Sequence, residues 1–227
     1  MRVICSALVI TLCLAPAVLA GPVGPTPYLS AADSPWAAVS FSSFYLENFE
    51  DGALNTLGAT SIGATSIVDA GNPFADSVDA DDGTIDGSGT AGRSHYTTNG
   101  TAGIEYFFNA GDLGALPTHA GIVWTDLSGA ADVFFEAFDS ANLSLGVIAA
   151  GPLNDGLSTG QTAEDRFLGW THPMGIARIR VYQSGSDMEL DHLQYGIAVP
   201  EPTAAALLIG TCLAWCGVRR RTSRPCT

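Results

Sequence analysis

The chain predicts an all-β fold, an antiparallel β-sandwich, on three observations. Short runs with strand-like alternation recur through the middle of the chain, each bounded by Gly, Asp, Asn, Ser or Pro. Glycine supplies 26 of 227 residues, against a usual ~7%, which suits many turns. No 3.6-residue apolar period is sustained outside the termini.

Residues 1–20 read as a secretory signal peptide. Arg2 is the positive start, Val3 to Leu14 the apolar stretch, and Val18-Leu19-Ala20 the small or modest residues before Gly21. Pro16 interrupts an apolar run already short for an anchor. Residues 21–40, rich in Pro, Ala and Ser, read as a linker. The sandwich domain is expected over 41–197. Its strands are expected near Phe44 to Phe49, then at 104–108, 121–125, 132–138, 143–149, 166–170, 176–182 and 188–195. Phe107 breaks the alternation of 104–108, which fits a sheet covered on both faces. Trp124 shares parity with Ile122 and is expected in the core. Trp170 ends a strand before Thr171-His172-Pro173, where it could rim a binding face. Residues 69–100 form a long Gly/Asp-rich stretch, and loops of this length tend to be functional or ordered by metal.

The tail, 198–227, has three parts in order. Val199-Pro200-Glu201-Pro202 leads into 16 apolar residues, 203–218, and then Arg219-Arg220-Arg221. As a helix the apolar stretch spans ~24 Å, short of the ~30 Å hydrocarbon core. Local thinning and snorkelling arginines can meet the deficit. Trp215 lies near the far interface, and the arginines belong on the cytoplasmic side.

This order, with Pro200, Glu201 and Pro202 before a short helix and Arg219, Arg220 and Arg221 after it, resembles the PEP-CTERM sorting tail. The resemblance implies an exosortase as processing partner and an association with exopolysaccharide and biofilm. It also implies a protein tethered at the inner membrane with its domain outside, destined for the cell surface or extracellular matrix.

The domain carries a second resemblance. Phe49-Glu50-Asp51-Gly52 near its start and Glu189-Leu190-Asp191-His192-Leu193 near its end resemble the terminal strands of carbohydrate-binding-module-like jelly rolls. Residues 76–83 and 163–167 are similar to uncharacterised PEP-CTERM domain proteins. The first resemblance implies a jelly-roll-like sandwich and a structural calcium ion. Glu50 and Asp191 match the acids that would anchor it, with Glu47 and Asp51 as helpers. Six to eight oxygens, backbone carbonyls included, satisfy calcium, and zinc would want Cys or His. The alternative is that these acids are solvated turn residues. Asp76, Asp79, Asp81, Asp82 and Asp86 could hold a second ion, though a solvated acidic loop accounts for them more simply.

Charge narrows the partners. Residues 21–199 hold 22 acidic side chains against Arg93, Arg166, Arg178 and Arg180, a formal −18 with no lysine. Nucleic acid and anionic lipid are repelled by such a surface, so membrane contact is left to the tail helix. All five cysteines lie in the terminal segments, so the domain has neither a disulfide nor a thiolate metal site.

No catalytic role is expected. Gly156-Leu157-Ser158-Thr159-Gly160 matches the Gly-x-Ser-x-Gly string but lacks the strand before and helix after that the motif needs. Residues 189–194 resemble the Glu-x-Asp-x-x-Glu string of jelly-roll glucanases. Gln194 replaces the final acid and cannot protonate a leaving group. His95, His119, His172 and His192 show no ligand spacing. The expected function is an exported, exosortase-sorted surface or matrix protein with a non-catalytic binding or structural sandwich, and the candidate partner for binding is exopolysaccharide or another glycan. The alternatives are a secreted glycan hydrolase on a jelly-roll scaffold and a protein-binding adhesin.

Overall fold

A computed structural model describes residues 20–68, 76–78, 92–126, 131–153 and 164–200. All but Pro200 belong to one compact unit, Val18–Val199. The segment read as a signal peptide up to residue 19, the tail from Glu201, and the strings at 79–86 and 156–160 lie outside the described residues. No described helix is long and apolar enough to cross a membrane.

Among the described residues twelve strands form two antiparallel sheets. In chain order they are β1 (Gly21–Pro27), β2 (Phe41–Glu47), β3 (Ala59–Ile62), β4 (Ser66–Val68), β5 (Ser94–Thr97), β6 (Ile104–Phe108), β7 (His119–Trp124), β8 (Asp132–Phe138), β9 (Ser144–Pro152), β10 (Arg166–Thr171), β11 (Arg178–Gln183) and β12 (Met188–Ala198). One sheet runs β1-β10-β7-β12-β5-β4, with β2 also on β12, and the other runs β3-β6-β11-β8-β9. The 11-residue β12 takes two neighbours along one edge. Its first half pairs with β5 and its second half with β2, while β7 runs along its other side.

Alternation explains the five-stranded sheet. Ile104, Tyr106 and Phe108 of β6, Ile179 and Val181 of β11, and Val133, Phe135 and Ala137 of β8 point inward. They meet Ile122, Trp124, Leu168, Leu190, Leu193 and Tyr195 of the other sheet in one apolar core. The residues between them face outward and are half-buried. Phe107 is one of these. It lies in a row with Arg178 and Phe138, and the guanidinium sits 3.5 Å from the Phe138 ring centroid. Phe107 is thus apolar because it stands beside an arginine ladder, and not because a second layer covers that sheet.

The sheet that is covered on both faces is the seven-stranded one. Every residue of β7 is buried. Ile122 and Trp124 enter the main core, while Val123 and the neighbouring Phe167 join Tyr28, Trp36 and Val78 in a second cluster on the opposite face. Segment 21–40, expected as a linker, supplies that cover. It forms β1 against β10, and a 3-10 turn (Ala31–Asp33) started by a Ser30–Asp33 capping box. Its aromatic residues carry the segment inward: Tyr28 is fully buried and Trp36 is 4% exposed. Burying two large rings offsets what the Pro- and Ser-rich composition loses in strand propensity.

The expected tryptophans divide as follows. Trp124 is core, and its indole N–H donates to Gln183 Oε1 at 3.2 Å. Trp170 is also core and does not rim an exposed face. It packs over Gly146, where a Cβ would stand 2.5 Å from the Trp170 ring, at a φ of +144°. The glycine of β9 thus makes room for the ring.

Candidate functional site

The acids expected to share calcium are placed by local backbone chemistry. Glu47 ends β2 and is buried. Its carboxylate accepts from Phe49 N at 3.0 Å, Asn55 N at 2.9 Å and Thr56 N at 3.0 Å. Asp51 accepts from Ala53 N at 3.0 Å and from the Asn55 amide. Both therefore hold the turn over residues 48–56. Glu50 accepts from Arg93 N at 2.5 Å. Asp191 is fully buried and accepts from Ser77 Oγ at 2.8 Å, Val78 N at 2.9 Å and His192 N at 2.6 Å. The donor chemistry suits a hard cation, yet these carboxylates already face N–H and O–H donors from three different segments. Among the described residues no three His, Cys, Asp or Glu side chains are gathered as a metal-holding group. Calcium at this set is carried by the resemblance alone.

A different carboxylate pair stands out. Asp76 N donates to Glu189 Oε2 at 2.6 Å, and Ser94 Oγ donates to the same oxygen at 3.1 Å. Asp76 is fully buried. Its Oδ1 accepts from Ser77 N at 2.9 Å, while its Oδ2 is buried without a hydrogen-bond partner among the described residues. Burial, then the charge of Glu189, raises the Asp76 carboxyl to about 8, with Glu164 and Asp191 adding to the rise and the Ser77 N–H opposing it. Burial likewise raises Glu189 to about 7, against the bonds from Asp76 N and Ser94. No cation is among the groups that shift either. Glu189 and Asp191, two apart on β12, both grip the 76–78 segment, as alternate residues on one strand face can.

The third feature is a pocket of about 340 Å³ lined by Tyr28, Trp36, Phe41, Phe44, Leu46 and Gln194, with Ala31, Ser34, Ala37 and Val39. Phe44 is 41% exposed and the other rings are more deeply set. A polar line adjoins them. Ser34 Oγ donates to Gln194 Oε1 at 2.6 Å, Gln194 Nε2 donates to Tyr28 Oη at 2.8 Å, and Tyr28 Oη meets His192 Nδ1 at 3.0 Å. Among the described residues no Asp, Glu, His, Cys, Lys or Arg lines the pocket.

The outward face of the five-stranded sheet is charged and aromatic, but its groups are spent on one another. Arg178 bonds Glu105 and, at 2.8 Å, Asn142 Oδ1. Arg180 donates to the carbonyls of Thr101 and Ala102. Phe134 stacks on Tyr182 with ring centroids 5.0 Å apart. The histidines are likewise structural in their surroundings. His95 Nδ1 meets Tyr106 Oη at 2.8 Å, and burial lowers His95 to about 4.

Comparison with known proteins adds little to this geometry. No family model matches the chain. No curated protein matches it. Among solved structures it is similar to the C-terminal family 22 carbohydrate binding module of Clostridium thermocellum Xyn10B, at 14% identity. The alignment covers 72% of this chain and 98% of that one, with a TM-score of 0.40. A likeness of that size carries no argument.

Two signals for these sites were present in the sequence. Tyr28 and Trp36 are large aromatics in a stretch otherwise typical of a linker. Asp76 opens the acidic loop, but nothing local says that it alone is drawn under the sheet to meet Glu189, 113 residues away.

Proposed function

We propose that this chain is an exported surface or matrix protein whose β-sandwich, jelly-roll-like in its terminal strands, binds a neutral glycan and does so without catalysis. The pocket of Tyr28, Trp36, Phe41 and Phe44 carries the reading. Ligand sites are concave, mostly apolar and aromatic, and supplied with a few oriented polar groups, and aromatic faces suit the apolar side of a sugar ring. Ser34 and Gln194 are the polar groups here. An uncharged wall in a domain of formal charge −18 disfavours anionic polymers. A hydrolase would need two carboxylates flanking the scissile bond, and the pocket wall offers none. Export and sorting rest on the signal-like start, on Pro200-Glu201-Pro202 and on Arg219 to Arg221, with an exosortase as partner.

Two measurements test this. Titrating the full chain with neutral and acidic oligosaccharides, read by intrinsic tryptophan fluorescence, is expected to show saturable binding of a neutral glycan. Phe44→Ala should weaken it at least tenfold, about 1.4 kcal/mol, since that ring is the accessible wall. Absence of binding across both panels, or equal binding by the variant, overturns the pocket. Mass spectrometry of the protein recovered from its own cells is expected to find the chain beginning at Gly21. A chain beginning at Met1 in the cytosol overturns export.

A further inference from the structure

We propose that Asp76 and Glu189 form the anionic half of a divalent-cation site that fastens the 76–78 segment to β12. Asp76 is fully buried, and its Oδ2 has no hydrogen-bond partner among the described residues. A buried carboxylate oxygen left in this state is costly. The facing Glu189 has the complementary shape: both of its hydrogen bonds, from Asp76 N and Ser94 Oγ, fall on Oε2. The 2.6 Å bond from Asp76 N keeps the two residues together. Glu164, Asp187 and Asp191 add negative potential to one or other of the pair, and among the described residues no positive group is seen to offset it.

Two desolvated carboxylates with like-charged neighbours can be relieved by a proton or by a metal. Oxygen donors without Cys or His select calcium or magnesium over zinc. The site differs from the set expected from the jelly-roll resemblance: its carboxylates are not Glu47, Glu50 or Asp51, and Asp191 stands beside it holding Ser77 and Val78 rather than within the pair. Two carboxylates make an open site, with the remaining oxygens from backbone and water. Calcium should therefore bind at the weak end of its range, with Kd of about 10⁻⁴–10⁻³ M, as in extracellular modules. The ion would replace the proton that the pair otherwise needs, and would tie residues 76–78 to the sheet while doing so.

The test uses the full chain stripped with EGTA at pH 8. Calcium chloride at 10 mM should raise Tm by about 5 °C, half of the rise arriving between about 1 and 2 mM. Magnesium chloride in a parallel arm should give a smaller rise, because two carboxylates in a fixed backbone frame suit the larger, less exacting ion. Asp76→Asn should have two opposite effects, raising Tm of the stripped protein and abolishing the calcium gain; Glu189→Gln should do the same. Glu50→Gln should keep the gain. The proposal is overturned if the stripped wild type shows neither a Tm rise nor calorimetric heat up to 10 mM calcium. It is equally overturned if the Asp76→Asn/Glu189→Gln double variant keeps the gain, or if Glu50→Gln alone removes it. Should the double variant fail to fold, calorimetric binding by wild type and by the two single variants decides the matter.

Discussion

Replacing Glu47 by alanine is expected to destabilise the domain by about 3–5 kcal/mol. The carboxylate accepts from three backbone N–H groups, Phe49, Asn55 and Thr56, and is itself 4% exposed. Bonds to a charged acceptor contribute about 1.5–3 kcal/mol each and are not additive. Removal leaves the buried N–H of Phe49 without an acceptor, at a cost of about 1–3 kcal/mol, and takes the shared acceptor from the part-buried bonds of Asn55 and Thr56. The turn over 48–56 then loses its centre, and Phe49, fully buried at a φ of 58°, loses the bond that holds it there. Glu47→Gln should fall between the two, because its amide oxygen still accepts while its NH₂ faces a donor. Urea denaturation of the three proteins measures this. The loss should be equal with calcium or with EGTA; a loss seen only with calcium would instead make Glu47 a metal ligand. A loss below about 1 kcal/mol would show that the turn does not depend on this carboxylate.

Without divalent cations, stability should fall as pH rises from about 6.5 to about 8.5. The sign follows from which state binds more protons. Asp76 and Glu189 are raised in the folded state to about 8 and about 7. Below their unfolded values both states are protonated and the pair costs nothing. As pH rises the unfolded chain releases these protons first, so stability falls until the folded pKa is passed. His95, lowered to about 4, and His119, also lowered by burial, act in the opposite direction. They favour the folded state increasingly up to the unfolded histidine value near 6.5, which opposes the carboxyl pair below that pH. Above it, among the described groups whose titration burial shifts, only the pair still releases protons before the tyrosines do. General repulsion in this acidic domain does not change there, since ordinary carboxylates are already ionised. One proton over one pH unit is about 1.4 kcal/mol, or about 3 °C in Tm for a domain of this size. A fall of at least about 4 °C between pH 6.5 and 8.5 is therefore expected in EGTA. Asp76→Asn should remove most of it, because the substitution deletes one titrating group and one charge facing Glu189. A flat profile in the wild type would show that the pair is not protonated in the folded state.

These two sites differ in how far they could be read beforehand. The Glu47 turn is local: acid, Phe49, Glu50, Asp51 and Gly52 follow one another, so their closeness is guaranteed by the chain. What the residues do there was not legible, because carboxylates accept N–H donors and metal ions with the same oxygens. The Asp76–Glu189 pair is non-local. Both residues are acidic in the sequence, but only β12 pairing with β5 places Ser94, Glu189 and the 76–78 segment side by side.

The amino-acid order alone determined the sheet class, the central strands at 104–108, 132–138 and 188–195, and the core position of Trp124, because period-2 alternation and turn residues act within a few positions of each other. It also determined the extreme acidity and the absence of cysteine from the domain. Only the tertiary structure decided that 21–40 covers the seven-stranded sheet, that Trp170 is core and Phe107 is not, and that one pocket and one buried carboxyl pair arise where they do. Burial and desolvation are properties of what surrounds a residue, and those surroundings come from strands more than 100 residues apart.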